Sequence, residues 1–343
     1  MYRCRDNSGT VSVINTTNNL IEATITVGGH LQGLAITPNG AQAYVTDFSG
    51  SVVKVIDTTN NTVLGPVTVG SGPYNVAFTP NGSYAYVTNH FSNNVSVIDT
   101  ATKTFVATIT VGAGPTGVAV TPDGMRVYVA NNQSGTLSII ATATNSVVET
   151  VSVGVSGDPY MVAIKPDGSR VYVANYTSGN VAVLETATNT ILTTIPVGRL
   201  PFGVALTPDG TRAYVTNICG STPNECSTGT VSVIDTATNT VINTLTISGA
   251  NVKYVAIQPS AVGPPPTCVT PPSGLVSWLD ADSISGNTAY DIKGDYDGTM
   301  VGGVSIVPGM VGNAFGFDGV NDYVEIPNSS VFNLRVPSSQ SSR

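Results

Sequence analysis

The chain has 343 residues, 41% of them hydrophobic and 10% charged, with 21 acidic against 13 basic side chains and a formal net charge of -8. That length supports a substantial core, and an acidic balance without a basic stripe excludes nucleic acid as a partner. No window stays apolar for the roughly 18 residues that a membrane-spanning helix needs, so no transmembrane segment is expected.

The N-terminus, MYRCRDNSG, has no apolar core of the signal-peptide kind. It opens inside a repeat: Tyr2 stands 42 residues before Tyr44, and residues 11–15, VSVIN, match VSVID at 95–99. The register therefore predicts a fragment, with any export signal upstream. Thr, Ser, Asn, Gly and Val fill the space that Lys and Glu take in cytoplasmic proteins, so the expected location is extracellular or at the cell surface of a prokaryote.

The repeat itself is written TPNGAQAYVTD at 37, TPNGSYAYVTN at 79, TPDGMRVYVAN at 121, KPDGSRVYVAN at 165 and TPDGTRAYVTN at 207. The motif tyrosines, Tyr2, Tyr44, Tyr86, Tyr128, Tyr172 and Tyr214, are spaced by 42, 42, 42, 44 and 42 residues, the period of four-stranded propeller blades. Within one period, 117–124 reads as a strand entering a Pro-Asp-Gly turn, 126–131 as the returning strand, and 137–140 and 146–153 as the third and fourth. A sheet apolar on both faces must stack on its neighbours, and radial stacking leaves only short edges. The fold class is all-β: a propeller of four-stranded antiparallel blades, six in this chain, closed by the N-terminal strands plus a C-terminal strand at 254–259. Seven blades remain open for a longer parent. In this register the motif tyrosines are blade packing, and Asp57, Asp99 and Asp235 are turn formers.

Two loops depart from the period, VGVSGDPYM near 158 and ICGSTPNECSTGT near 220. Both fall on the face that carries the loops after YVTN and after TVG. That face also collects His30, Tyr74, His90, Phe91, Tyr160, Tyr176, Arg199, Phe202, Lys253 and Tyr254, a set suited to stacking on sugars or docking a protein. The expected partner is a surface glycan or a protein ligand. Cys219 and Cys226 bracket the second loop and are the disulfide candidate; the pairing of Cys4 and Cys268 stays open. With two histidines in the chain, no zinc site is expected.

YVTN, YVAN, VSVIDTATNT and TPDG, recurring in fixed register over residues 2–259, resemble the YVTN family of β-propeller repeats found in prokaryotic surface and secreted proteins. A Pro-rich linker occupies 260–272. From 273 to 343, GLVSWLDADS and the Gly309 to Val324 run, G-x-x-G-x-A-x-x-F-D-G-x-x-D-Y-V, resemble the start of a laminin-G-like or concanavalin-like jelly-roll domain, truncated here. Such domains often bind calcium, and Asp280, Asp282, Asp291, Asp295 and Asp297 are dense enough to be its candidate ligands. No other cofactor is implied.

These readings predict a noncatalytic binding or adhesion protein, with the propeller as recognition scaffold and the second domain as a carbohydrate- or protein-binding module. The alternatives are a propeller enzyme of the lactonase or lyase kind and a purely structural surface-layer repeat. An enzyme needs ionisable groups converging at one channel mouth, and the register places His30 and His90 on loops of different kinds and nonadjacent blades. No catalytic residue is assigned.

Overall fold

A short strand that reads apolar at nearly every position is covered on both faces. Arg126–Asn131, RVYVAN, is such a run, and every residue after Arg126 is buried. It lies between Pro115–Val120 and Thr136–Ala141 in an antiparallel sheet whose far edge is Ser146–Ser152. The computed structural model describes residues 2–5, 8–16, 18–155, 158–219, 228–248 and 252–257, together with the backbone of strands between 279 and 325. The chain divides into two units, Met1–Gln258 and Pro259–Arg343.

Unit 1 is a propeller of antiparallel sheets with no α-helix among the described residues. Blade 1 has three strands within 2–26; four-stranded blades 2 to 6 follow at 31–68, 73–110, 115–152, 159–196 and 199–248. In blades 2 to 6 the first strand of each lies innermost, against the first strands of its neighbours. The outer strands are the most exposed, as in Thr104–Thr110, where only Ile109 is buried.

Each inner strand carries a register shift at one end, between Leu31 and Leu34, Pro73 and Asn75, Pro115 and Val118, Pro159 and Val162, and Pro201 and Val204. An extra residue there turns a side chain out of the ladder. The threonine of YVTN manages the backbone groups this frees. Thr46 Oγ1 accepts from Gly33 N at 2.7 Å and donates to the Tyr74 carbonyl of the next blade at 3.0 Å. Thr88 does the same with Asn75 N and the Thr116 carbonyl. In blade 4, where the motif reads YVAN, Thr116 of the inner strand supplies the hydroxyl, donating to the Tyr160 carbonyl at 2.7 Å. Blades approach so closely here that a Cβ on Gly33 would stand 2.6 Å from the Tyr74 carbonyl oxygen.

The motif tyrosines Tyr44, Tyr86, Tyr128 and Tyr172 are fully buried between blades. Tyr86, Tyr128 and Tyr172 donate their hydroxyls to Asn145, Asn189 and Asn239, the left-handed residues of the following blade's outer turn. Tyr44 has no such partner because Lys103 holds the equivalent left-handed position. Asp57, Asp99 and Asp235 accept from backbone N–H groups two or three residues on, the turn role expected of them.

Segment 252–257 takes the inner-strand place beside blade 6: Thr216 donates to the Lys253 carbonyl at 2.7 Å, the bond Thr46 makes to Tyr74. Among the described pairings it forms no ladder with Tyr2–Arg5, so blade 1 stays three-stranded instead of gaining the fourth strand expected from the sequence. One flank of blade 6 is correspondingly open. Leu245 is 44% exposed, whereas its register equivalent Ile109 is 4%.

Cys219, buried at the end of Arg212–Cys219, is disulfide-bonded. Cys226, its expected partner, and Cys268 lie outside the described residues, as does the side chain of Cys4. In unit 2, Leu279–Ser285, Thr288–Asp291, Gly298–Val301 and Tyr323–Glu325 form one antiparallel sheet in that order, and Ser305–Pro308 pairs with Asn313–Gly316. Asp280 and Asp282 fall on the first of these strands and Asp291 ends the second. Their side chains, with Asp295 and Asp297 altogether, lie outside the described residues.

Candidate functional site

The bulges project Gln32, Tyr74, Thr116, Tyr160 and Phe202 from equivalent positions of successive inner strands, with Lys253 next in register. The loops after the second strands add Phe48, His90, Asn132 and Tyr176. Backbone bonds tie these two loop sets together at one end of the wheel: Phe48 N to His30 O, His90 N to Gly72 O, Asn132 N to Gly114 O and Tyr176 N to Asp158 O. The Pro-Asp-Gly turns and the outer turns are joined in the same way at the other end, as in Thr142 N to Met125 O.

The mouth so formed is an aromatic chain. Phe48 meets His30 at 5.6 Å, Tyr74 at 6.1 Å, His90 at 6.4 Å and Phe91 at 5.0 Å. Tyr74 continues to Tyr160, and Tyr160 to Tyr176 and Phe202; Tyr254 stacks edge-on against Phe202 at 5.1 Å. Every aromatic candidate from the sequence therefore joins one cluster. Tyr74 and Phe202, expected as exposed contacts, are instead 8% and 4% exposed and pack with Met161, Ile218 and Cys219 as the hub. The Tyr74 and Tyr160 hydroxyls bond at 2.7 Å, and Asn75 Nδ2 donates to Met161 Sδ at 3.4 Å, so the hub is filled. Burial pushes the Tyr74 phenol far up and raises that of Tyr160, which keeps both protonated.

His30 and His90 belong to adjacent blades, 2 and 3, and touch the same Phe48 ring, which corrects their expected placement on nonadjacent ones. His90 is half-buried, and desolvation holds its imidazole below the ordinary histidine value despite the nearby carbonyls of Pro115 and Gly114. Its Nε2 lies 3.3 Å from the Gln133 amide nitrogen, and His30 Nε2 lies 3.2 Å from that of Gln32. An amide N–H donating to Nε2 leaves the His90 proton on Nδ1, which is buried on the carbonyl side. The result is a neutral base at the mouth.

Among the described residues the acids at this end are already engaged. Asp47 accepts from His30 N and Gly50 N and lies 3.8 Å from Lys54. Asp158, fully buried, accepts from Val155 N, Ser178 N and the Ser178 hydroxyl. Arg199 is exposed at the edge of blade 6, paired in the ladder with Cys219, and Lys253 is exposed with its Nζ 6.0 Å from the Phe202 ring centre. Among the described residues no group of three or more His, Cys, Asp or Glu is placed to hold a metal. A cavity of about 350 Å³ between blades 2 and 3, lined by Thr68, Asn94, Ser96 and Phe105 among others, has no ionisable side chain in its lining.

Sequence reasoning missed Phe48, Gln32 and Gln133. The signal was available: Phe48, His90, Asn132, Tyr176 and Ile218 follow their motifs in one register, as do Gln32, Tyr74, Thr116, Tyr160 and Phe202.

A family model described as "Lactonase, 7-bladed beta-propeller" matches residues 30–191. Among solved structures the chain is similar to Kuenenia stuttgartiensis hydrazine synthase, at 24% identity and a TM-score of 0.57 over 78% of this chain and 72% of that one. That likeness is one of fold. No curated protein matches the chain. The lactonase-family match overturns the expectation of a noncatalytic adhesion module and points to an enzyme-like propeller; the reading of the chain as a non-enzyme conflicts with it as well.

Proposed function

We propose that the propeller is a hydrolase that opens lactones at the mouth of blades 2 to 4. The observation that carries this is the lactonase-family match over residues 30–191, the span that contributes His30, Phe48, His90 and Gln133. The imidazole supplies the chemistry. A bound lactone draws the Gln133 amide from His90 Nε2 onto its carbonyl oxygen; the freed Nε2 takes a proton from a water, whose oxygen attacks the carbonyl carbon while the amide donates to the developing oxyanion; the ring C–O bond breaks and the leaving alkoxide takes the proton back from His90, giving the hydroxy acid.

Titrating acid release from a lactone panel tests the reading. His90→Gln is expected to lower kcat by about two orders of magnitude. Because burial holds the His90 pKa below its ordinary value, the acid limb of kcat/KM falls below pH 6.5, where the imidazole protonates and the base is lost. Failure of the folded protein to open any lactone, or a His90→Gln variant as fast as the parent, removes the proposal.

We further infer that the repeats over 2–259 are of the YVTN kind and that the Gly309 to Val324 run begins a laminin-G-like domain, in a protein working outside the cytoplasm. The disulfide at Cys219 supports an oxidising setting. Fractionation of producing cells checks it, and recovery in the cytosol with a free Cys219 thiol counts against it.

A further inference from the structure

We infer that the mouth takes an uncharged lactone fused to or carrying a flat apolar ring, with Phe91 as the residue that selects it. This rests on the hydrolase reading for its chemistry, and on separate observations for its specificity.

Phe91 is 62% exposed, yet it is held in place rather than left loose. Its N–H donates to Ser71 O, and Ser71 N donates to the Ser92 hydroxyl at 2.7 Å, so the two loops clamp its backbone. Gly72, at φ +69°, clears room for the ring: a Cβ there would stand 2.8 Å from Phe91 Cδ2. The ring lies 5.0 Å from Phe48 and 5.3 Å from His90, so an apolar face is presented directly beside the neutral base. Large aromatic side chains are ordinarily buried, and one fixed in the open next to a candidate base is placed to stack.

The floor excludes threading. The Tyr74 and Tyr160 hydroxyl pair and the Asn75 to Met161 contact fill the hub, so a ligand lies across the mouth, flat on the aromatics. Its polar atoms meet amides, Gln32 and Gln133, each already beside one imidazole.

Charge settles the class. Among the described residues, the cation at the mouth of blades 2 to 4 is Lys54, and it is spent on Asp47 and on the Val27 carbonyl at 3.2 Å. Lys103 and Arg126 belong to the opposite end, where Arg126 donates to the Thr186 carbonyl. The other cations of this end, Arg199 and Lys253, stand at blade 6 and over the Phe202 ring, whereas the Phe91 ring neighbours Phe48 and His90; a phosphorylated or carboxylated lactone lying against Phe91 would lose part of its water with no positive partner from blades 2 to 4, a cost that an uncharged ring avoids.

The experiment uses three probes on the full chain: dihydrocoumarin as aryl lactone, its lactam analogue 3,4-dihydroquinolin-2-one as a ligand that resists opening, and a phosphorylated sugar lactone. Dihydrocoumarin is expected to be opened at least tenfold more efficiently than the phosphorylated lactone. Phe91→Ala weakens lactam binding about tenfold, the size of one lost stacking partner, and Phe91→Tyr restores it. His90→Gln slows turnover about a hundredfold while the lactam still binds. Preference for the phosphorylated lactone, or lactam binding that is absent or indifferent to Phe91→Ala, overturns the inference even if lactones are hydrolysed. Phe91-dependent lactam binding without hydrolysis of any lactone upholds the apolar-ring site and sinks the hydrolase reading instead.

Discussion

At the turn end of the wheel the same bonds are written blade after blade. Thr37, Thr79, Thr121 and Thr207 each donate to the Asn or Asp two residues on, and Thr58, Thr100, Thr142, Thr186 and Thr236 each donate to a glycine carbonyl of the neighbouring turn. At the mouth end one register position is held in turn by His30, Gly72, Gly114, Asp158 and Leu200. Uniform bonds at one end close each blade in the same way, which frees the other end to vary without disturbing the sheet. Repetition in this chain therefore marks folding, and its interruption marks the aromatic mouth.

The contrast breaks most visibly if a mouth residue proves to be structural. Asp158 is the strongest case: its carboxylate satisfies two backbone N–H groups and the Ser178 hydroxyl with no exposed surface. Asp158→Ala strands these donors in the interior and is expected to cost about 3 kcal/mol. Denaturant unfolding measures it, and a loss within about 0.5 kcal/mol, the scale of a surface substitution, would mean that the mouth of blade 5 is not organised by this acid.

A second test asks whether the bulge, rather than the strand, sets the mouth. Thr88→Val keeps the shape and removes the hydroxyl that accepts from Asn75 N and donates to the Thr116 carbonyl. The expected loss is about 2 kcal/mol. A structure of the variant should show Tyr74 displaced, since the bulge that carries it loses its anchor, whereas the turns at the far end stay as they are.

How much of this the sequence discloses follows from the same division. Tyr128 repeats in register, so its packing role was readable, and so was the turn role of Asp99. The bond between Tyr74 and Tyr160 joins residues 86 apart whose blades are not consecutive, and it exists only because bulges aim both side chains at one axis. A bulge has no letter of its own; its trace is the threonine of YVTN, which periodicity reads simply as another strand residue. Phe48 shows the same limit. In one copy of the motif it is a lone aromatic, and its meaning as the ring shared by His30 and His90 comes from the stacking of adjacent blades. The sequence argument against an enzyme rested on placing His30 and His90 on nonadjacent blades, whereas they share the Phe48 ring on adjacent ones.

A third test repairs an irregularity between blades. Tyr44 is buried with its hydroxyl unpartnered, because Lys103 replaces the asparagine that serves Tyr86, Tyr128 and Tyr172; burial, with the Asp99 charge behind it, pushes its pKa up to about 12. Lys103→Asn supplies an acceptor and suits the left-handed backbone better, at φ 56°. A gain of about 1 kcal/mol is expected, seen as a higher Tm. No gain, or a loss, would show that the Tyr44 hydroxyl is satisfied otherwise and that the repeat tolerates the lysine without strain.

The smallest effect is a pH dependence confined to the turn end. Burial pushes the Asp167 carboxyl up, but Ser169, whose N–H and hydroxyl both donate to it, and Lys165 at 2.9 Å together outweigh burial and hold it at about 2, below the ordinary carboxylate value. A carboxylate whose folded pKa is depressed contributes stability that is fully present above its unfolded value, near 4, and is lost as pH falls toward its folded one. Tm should therefore decline between about pH 4 and pH 2, and Asp167→Asn should flatten part of that slope while leaving Tm near pH 7 slightly lower. The turn is exposed, so solvent screens the ion pair and the change is a few degrees at most. Added salt should shrink the Lys165 share and spare the Ser169 share, since hydrogen bonds to a fixed turn do not depend on ionic strength as an exposed ion pair does. An acid slope that Asp167→Asn leaves untouched would place the loss elsewhere, with Asp123 and Asp209, held low by the same turn bonds, as the next groups to replace.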